Sequence, residues 1–135
     1  MDLKGNSIYN ANGTEIVKLY HRSGAILAET PYKNGKRNGI DKNFYESGSL
    51  WYDIPYVDGN KHGIEHIYYT SGSLMLEVPY KYGIKHGVEK YYDKDNSNIL
   101  SASLYDNGKN VLSMGSDGTG WKTTVKGTFI DTTEA

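Results

Sequence analysis

The chain has 135 residues, no cysteine and a formal net charge of −1. This length predicts one domain, the lack of cysteine excludes disulfide and thiol chemistry, and the balanced charge excludes a global attraction to nucleic acid or anionic membranes. Residues 1–20 carry no apolar signal core, and no stretch approaches 18 apolar residues. A cytoplasmic location is therefore expected.

The first residues, 1–12, contain one short strand candidate, Ser7 to Tyr9, followed by a turn-prone Asn-Ala-Asn-Gly run. We expect an N-terminal cap that covers the first edge of a sheet. Residues 15–20 and 26–32 then have the composition of two strands. They form the first unit of a repeat.

The repeat is clearest in residues 39–86, where a 24-residue unit occurs twice in succession. Four series of glycines and prolines keep this interval: Gly24, Gly48 and Gly72; Gly35, Gly59 and Gly83; Gly39, Gly63 and Gly87; Pro31, Pro55 and Pro79. Each copy has two runs rich in Tyr, Ile, Leu and Val around a Ser-Gly-Ser turn, which predicts a β-hairpin. One hairpin is thus the building block. The prolines, which lack a backbone donor, are expected at strand ends.

The fourth unit, which begins at Gly87, is irregular. Aligned on its Tyr91-Tyr92 pair, it is one residue short before the pair and two residues longer after it. A one-residue change flips side chains to the other face of a sheet unless a bulge absorbs it. We expect a bulge or a register adjustment near Val88 to Lys90.

Alternation along the second strands assigns side chains to two faces. The packed face takes an apolar column: Leu50, Tyr52, Ile54 and Tyr56, with their equivalents Leu74, Leu76, Val78 and Tyr80. The opposite face carries large apolar residues, Leu27, Trp51, Met75 and Leu100, beside the acids Glu29, Asp53 and Glu77. Large anchors with a charged rim are typical of binding hot spots. The predicted partner-binding residues are Leu27, Glu29, Tyr45, Trp51, Asp53, Tyr69, Met75 and Glu77.

Two alternatives for this second face stay open. The sheet's own curvature, or the C-terminal segment through Trp121, would cover it, and the acids alone are also typical of a solvated face. Residues 111–135 are predicted to form a C-terminal cap, with a flexible loop at 115–120 and a terminal strand that places Trp121, Thr123, Val125 and Phe129 on one face. Such a strand blunts the last edge of an open array. The loop lacks the Lys and Ser/Thr of a phosphate-binding loop.

Catalytic constellations are weak throughout. His62 and His86 lie one repeat apart, but a zinc site needs further ligands that the sequence does not place nearby. His21 and His66 are expected on strands as ordinary neutral side chains, and no G-x-S-x-G motif is present. We therefore expect a protein that is not an enzyme and has no catalytic, cofactor-binding or metal-binding residue.

The string G-x-x-x-x-[FY]-Y-x-x-G-x-L, followed by a short strand and Y-x-x-G, resembles the MORN repeat, in the variant form of bacterial YwqK-type antitoxin-like proteins. The resemblance covers residues 13–110, about four 24-residue hairpins, within a single repeat domain of residues 1–135. It implies an all-β fold: an elongated, curved antiparallel β-meander of stacked hairpins with capping strands at both ends. We expect roughly ten strands and less than about a tenth helix.

The resemblance leaves three functions open, because a fold hosts many functions. They are a module that binds and neutralises a partner protein (an antitoxin, an immunity protein or a phage-encoded inhibitor of a host defence enzyme), a binder of anionic lipid surfaces, and a structural scaffold. Lipid binding needs about four to eight clustered basic residues. The candidates, Lys36, Arg37, Lys61 and Lys85, are balanced by Asp41, Asp58 and Glu65. Protein binding is favoured, with a partner that presents a basic surface, such as a toxin or a nucleic-acid-handling enzyme. The oligomeric state stays open.

Overall fold

The computed structural model describes residues 4–9, 12–116 and 121–125, and these form one antiparallel sheet without any helix. The fourteen strands are β1 (Lys4–Tyr9), β2 (Thr14–Tyr20), β3 (Ile26–Lys33), β4 (Lys36–Arg37), β5 (Gly39–Phe44), β6 (Leu50–Val57), β7 (Asn60–Lys61), β8 (Gly63–Tyr68), β9 (Leu74–Lys81), β10 (Ile84–Lys85), β11 (Gly87–Tyr92), β12 (Ile99–Asp106), β13 (Lys109–Ser116) and β14 (Trp121–Val125). Neighbours in the sheet follow chain order, with the two-residue strands β4, β7 and β10 as side branches. The predicted all-β meander is confirmed.

The second, third and fourth repeats are each a hairpin of a six-residue strand and an eight-residue strand, and the first begins with the seven-residue β2. In the second repeat β5 pairs with β6, and in the third β8 pairs with β9. The turns between them close with matching bonds, from Tyr45 N to Ser49 O and from Tyr69 N to Ser73 O, both 2.9 Å. The two predicted Ser-Gly-Ser turns are therefore confirmed.

The prediction of a bulge or register adjustment near Val88 to Lys90 is wrong. Strand β11 has six residues, like β5 and β8, and its register shifts between Tyr91 and Tyr92. The earlier repeats shift at the equivalent place, between Ile67 and Tyr68 in the third. Tyr92, not Tyr91, thus takes the place of Tyr68, so no residue is missing from the strand. The extra residue lies in the turn over 93–98, where the Asp93 carboxylate accepts two backbone N–H groups.

The prolines lie inside the eight-residue strands. The expectation that they lie at strand ends is therefore wrong. The carbonyl of Pro55 accepts a hydrogen bond from the backbone N–H of His62 at 3.0 Å, between β7 and β8. The chain breaks its pairing there, because Gly63 adopts a φ of 119°. The nitrogen and the carbonyl of Pro55 point to the same side of β6, toward the interruption between β7 and β8. No carbonyl is paired there that would need an N–H group from residue 55, so the proline costs no ladder hydrogen bond.

The short turns between repeats are stacked and joined to one another. Residues 34–35, 58–59, 82–83 and 107–108 all have positive φ at both positions, as type I′ hairpin turns require. The backbone N–H of Tyr82 donates to His62 Nδ1, and that of Asn107 donates to His86 Nδ1, both at 3.2 Å. Asn38 accepts from Asp58 N in the same way. His62 and His86 therefore act as acceptors that lock the next turn in place.

Tyr82 is the residue least suited to its turn. It holds a φ of 48°, where the other three turns use Asn or Asp, which tolerate this region far better than an aromatic residue. We expect the Tyr82→Asn variant to be more stable than the Tyr82→Ala variant, with a free energy of unfolding higher by about 1 kcal/mol. Urea unfolding measures the difference, and because both variants lose the Tyr82 ring that packs 4.6 Å from the ring of His62, equal stabilities would contradict this account.

The packed face is the predicted one. Its buried apolar side chains are Ala28, Ile54, Tyr56, Leu76 and Val78. Tyr52 is half-buried, although the sequence predicts it to be largely buried. The difference arises because the described strands form one sheet, so side chains are covered by neighbours in the same sheet and not by a second layer.

The predictions for the C-terminal segment are tested only in part. Gly115 and Ser116 belong to β13, which corrects the expected start of the loop. Residues 117–120 of that loop and Phe129 of the expected terminal strand lie outside the described residues. Trp121, Thr123 and Val125 lie on β14, which pairs with β13.

Candidate functional site

The packed face carries a row of cations between tyrosines. Arg37, Lys61 and Lys85 lie on the two-residue strands, opposite Tyr32, Tyr56 and Tyr80 in the register. Each cation also lies over the ring of the following repeat: Arg37 over Tyr56 at 5.2 Å, Lys61 over Tyr80 at 4.7 Å and Lys85 over Tyr105 at 4.7 Å. Such contacts are worth about 0.5–1 kcal/mol at exposed sites and more when desolvated.

Two of these cations bind acids on the packed face. Lys61 Nζ lies 2.9 Å from Glu65 Oε1, and Lys85 Nζ lies 3.0 Å from Glu89 Oε1. Burial lowers the pKa of Lys61, but the hydrogen bond and charge of Glu65 outweigh it, so the pKa is raised above its ordinary value. Lys61 is thus paired with Glu65, one of the acids expected to balance the basic residues. These side chains are structural groups of the sheet.

The opposite face, here called the open face, carries a charged row that crosses seven strands. Its members face one another in the register, with acids alternating with lysines and one histidine: Lys18, Glu29, Lys42, Asp53, His66, Glu77 and Lys90. The predicted acids all lie in it. The sequence analysis missed the lysines and the histidine between them, although Lys18, Lys42, His66 and Lys90 recur at the 24-residue interval. Opposite charges directly across a pair of strands stabilise a sheet.

Two of the predicted acids are hydrogen-bonded. Asp53 Oδ1 lies 2.9 Å from His66 Nδ1, and its Oδ2 accepts from the Tyr68 hydroxyl at 3.4 Å. Burial raises the pKa of Tyr68, and the charge of Asp53 raises it further. Burial and a hydrogen bond to Glu77 likewise raise the pKa of Tyr92, one repeat on. The acids are therefore held in fixed positions.

The predicted aromatic anchors come together beside this row. The Trp51 side chain is 42% exposed, and its ring stacks on Tyr45 at 5.7 Å between centroids. Leu27, Met75 and Tyr69 are half-buried in the equivalent places of the other repeats. Only Trp51 thus offers a large exposed ring in the predicted set.

The tyrosines of the set also have a structural role. The Tyr45 hydroxyl donates to the Tyr68 carbonyl at 2.6 Å, and the Tyr69 hydroxyl donates to the Tyr92 carbonyl at 2.7 Å. His21 occupies the same place in the first repeat, with Nε2 3.3 Å from the Phe44 carbonyl and Nδ1 buried without a described partner. These side chains tie each repeat to the next one.

A third row, here called the aliphatic stripe, lies on the open face on the other side of the charged row from Trp51. It consists of aliphatic residues and prolines from successive strands: Ile8, Ile16, Pro31, Ile40, Pro55, Ile64, Pro79, Val88, Leu104, Leu112 and Val125. Ile40, Ile64 and Val88 are 52%, 46% and 41% exposed. Their 24-residue spacing is the signal in the sequence that marks them.

Within the described ranges, no group of three or more His, Cys, Asp or Glu side chains is placed to hold a metal ion. The same residues include no helix long and apolar enough to cross a membrane.

Comparison with known proteins identifies the repeat. A family model of the MORN repeat variant matches residues 16–34, 37–58 and 61–82, which are three of the predicted hairpin units. No curated protein matches the chain in sequence. The repeat type is therefore shown for these three segments.

Two similar solved structures are of TarM. One is a variant from S. aureus in complex with fondaparinux, alpha-GlcNAc-glycerol and UDP, at a TM-score of 0.50 and 12% identity over 79% of this chain and 21% of that chain. The other is TarM at a TM-score of 0.49 and 13% identity, over 78% and 20%. This chain spans about a fifth of their length. The likeness to the first concerns the fold alone.

Proposed function

We propose that this chain is a non-enzymatic protein-binding repeat module, located in the cytoplasm, whose open face around Trp51 docks a partner protein. The observation that carries the proposal is the exposed Trp51 ring, stacked on Tyr45 beside a fixed row of charges. Exposed tryptophan is costly to leave in water and is enriched among residues that supply most of the binding energy of interfaces. Trp51 is the anchor of the proposed interface.

The charged row sets the chemistry of the partner. Asp53 and Glu77 would meet basic side chains, which a toxin or a nucleic-acid-handling enzyme carries in its substrate groove. The interleaved Lys42 and Lys90 limit the size of any basic patch that fits. The row therefore favours specificity through individual pairs over a broad attraction. A neutralising role, of the antitoxin or inhibitor type, rests on the resemblance to YwqK-type proteins and is part of the proposal.

Lipid binding has less support than protein binding. Three of the four expected basic residues, Arg37, Lys61 and Lys85, face tyrosines and acids of the packed face. A polybasic site needs about four to eight free basic residues near one surface. A scaffold role is the alternative that would leave Trp51 without a binding partner.

The test is partner capture with a double variant, Trp51→Ala with Asp53→Lys. We expect the wild-type chain to retain a specific protein from an extract of its host, and the double variant to lose it by at least about a hundredfold, as for a lost hot spot of about 3 kcal/mol. Asp53→Asn alone, which keeps the shape of the side chain, separates the effect of charge from that of size.

The matched control is Trp121→Ala, which removes an exposed tryptophan from β14, outside the proposed interface. It is expected to retain the partner. Circular dichroism and thermal melting check that all variants fold alike. Weakened folding of the double variant with intact binding would assign Trp51 and Asp53 to the stability of the sheet and refute the proposal.

A further inference from the structure

The aliphatic stripe has no role in the proposed partner site. It runs over all eleven strands of the main path, which spaces its ends roughly 50 Å apart at about 4.8 Å per strand. Soluble monomers seldom expose a continuous apolar patch of more than a few hundred Å², and larger patches mark interaction sites. We therefore expect the stripe to be covered by a binding surface that is itself long, apolar and regular.

We infer that a second copy of this chain covers the stripe, in a dimer whose two sheets pack face to face through their open faces. The argument is charge complementarity. A twofold axis that runs parallel to the strands, between the two sheets, reverses the order of the strands and keeps each row opposite itself. If the axis falls between two strands near the middle of the row, acids of one copy face basic residues of the other.

The most central position for this axis lies between β6 and β8. Asp53 of one copy then lies opposite His66 of the other, Lys42 lies opposite Glu77, and Glu29 lies opposite Lys90. In the stripe, Ile64 of one copy meets Pro55 of the other. Such a contact is isologous, as twofold interfaces are, and it uses the nearly aligned packing of two sheets.

The area is sufficient for a stable dimer. Three rows of side chains cover roughly 20 Å along each strand, at about 3.3 Å per residue. Over a sheet roughly 50 Å wide, this gives on the order of 1,000 Å² per copy, against about 800 Å² per partner in standard interfaces. The net charge of −1 gives little repulsion between copies. The inference goes beyond the proposed function, because it concerns self-association. The dimer would also cover Trp51, Asp53 and Glu77, so only the monomer offers the proposed partner site.

The test uses a pair of residues that meet only in the dimer. Within one chain, Lys42 on β5 and Glu77 on β9 are not neighbours, because β6 and β8 lie between them. Sedimentation equilibrium at micromolar concentrations should give twice the 15.1 kDa mass of one chain. Lys42→Glu and Glu77→Lys should each weaken the dimer by at least about tenfold, since like charges are then opposed. The double variant should return to within about threefold of the wild type.

A third variant, Ile64→Lys, places a charge in the stripe and should give the monomer. Circular dichroism must match the wild type for each variant. A wild-type chain that stays monomeric at about 100 μM, or a double variant no stronger than the two single ones, would overturn the inference. Sedimentation scores the dimer and partner capture scores docking, so the two proposals can fail independently. Ile64 lies outside the proposed partner site, so the monomeric Ile64→Lys variant should still retain the partner.

Discussion

Replacing Gly63 by alanine is expected to lower the free energy of unfolding by about 3 kcal/mol or more. Gly63 holds a φ of 119°, which side chains disfavour, and an added Cβ would lie 2.9 Å from Pro55 Cγ. Gly39 and Gly87 stand against Pro31 and Pro79 in the same way. The glycine and the proline of each repeat are therefore one packing unit. Chemical denaturation measures the loss.

Two further variants separate the causes. Gly72 has a φ of 96° and open space around the added atom, so Gly72→Ala carries backbone strain alone and should cost less. Pro55→Ala removes the Cγ that the new methyl group meets. In a double-mutant cycle, Gly63→Ala and Pro55→Ala together should cost less than the sum of the two single effects. Strict additivity would show that the contact with Pro55 contributes nothing.

Truncation of the packed face is the second large effect. Leu76 and Ile54 are each 8% exposed, and removal of a buried aliphatic side chain to alanine costs about 2–5 kcal/mol through lost burial and the cavity left behind. We expect Leu76→Ala and Ile54→Ala to fall in this range, measured by urea unfolding. The neighbours in the open sheet adjust only partly, because they are held by two flanking strands.

The control for this prediction is Met75→Ala, on the other face of the same strand. Met75 is half-buried, so its truncation should cost clearly less than that of Leu76. A cost below about 0.5 kcal/mol for both Leu76 and Ile54, against the range for buried residues, would place the core on the opposite face.

The fold was predictable because the period fixes the hairpin and alternation fixes the faces. Ile54 and Leu76 are buried where alternation placed them, and the Ser-Gly-Ser turns close as expected. The position of Pro55 was not predictable in the same way. Strand β6 pairs with β8 along one part and with β7 along another, and the ladder is interrupted between the two. The alternation of side chains is the same on both sides of this interruption, so the sequence pattern does not reveal it.

The candidate site was predictable only along single strands. Asp53 and Glu77 lie on the open face as alternation required, but the residues between them come from the first strands of the hairpins. Lys42 and His66 reach the same row through the register, which depends on the bulge in each hairpin. Arg37 shows the same limit, because its strand has two residues and carries no alternation of its own.

The bonds from Tyr45 and Tyr69 give the array a direction and a terminus. Each tyrosine hydroxyl donates a hydrogen bond to a carbonyl of the following unit. The fourth unit has Asp93 at this position, and the Asp93 carboxylate instead accepts a hydrogen bond from the backbone of its own turn. The tie made by tyrosine is therefore present in the second and third units and is replaced in the fourth. A gene duplication upstream of Asp93 would lengthen the array with every joint tied, whereas a duplication of the last unit would bury an untied joint inside it.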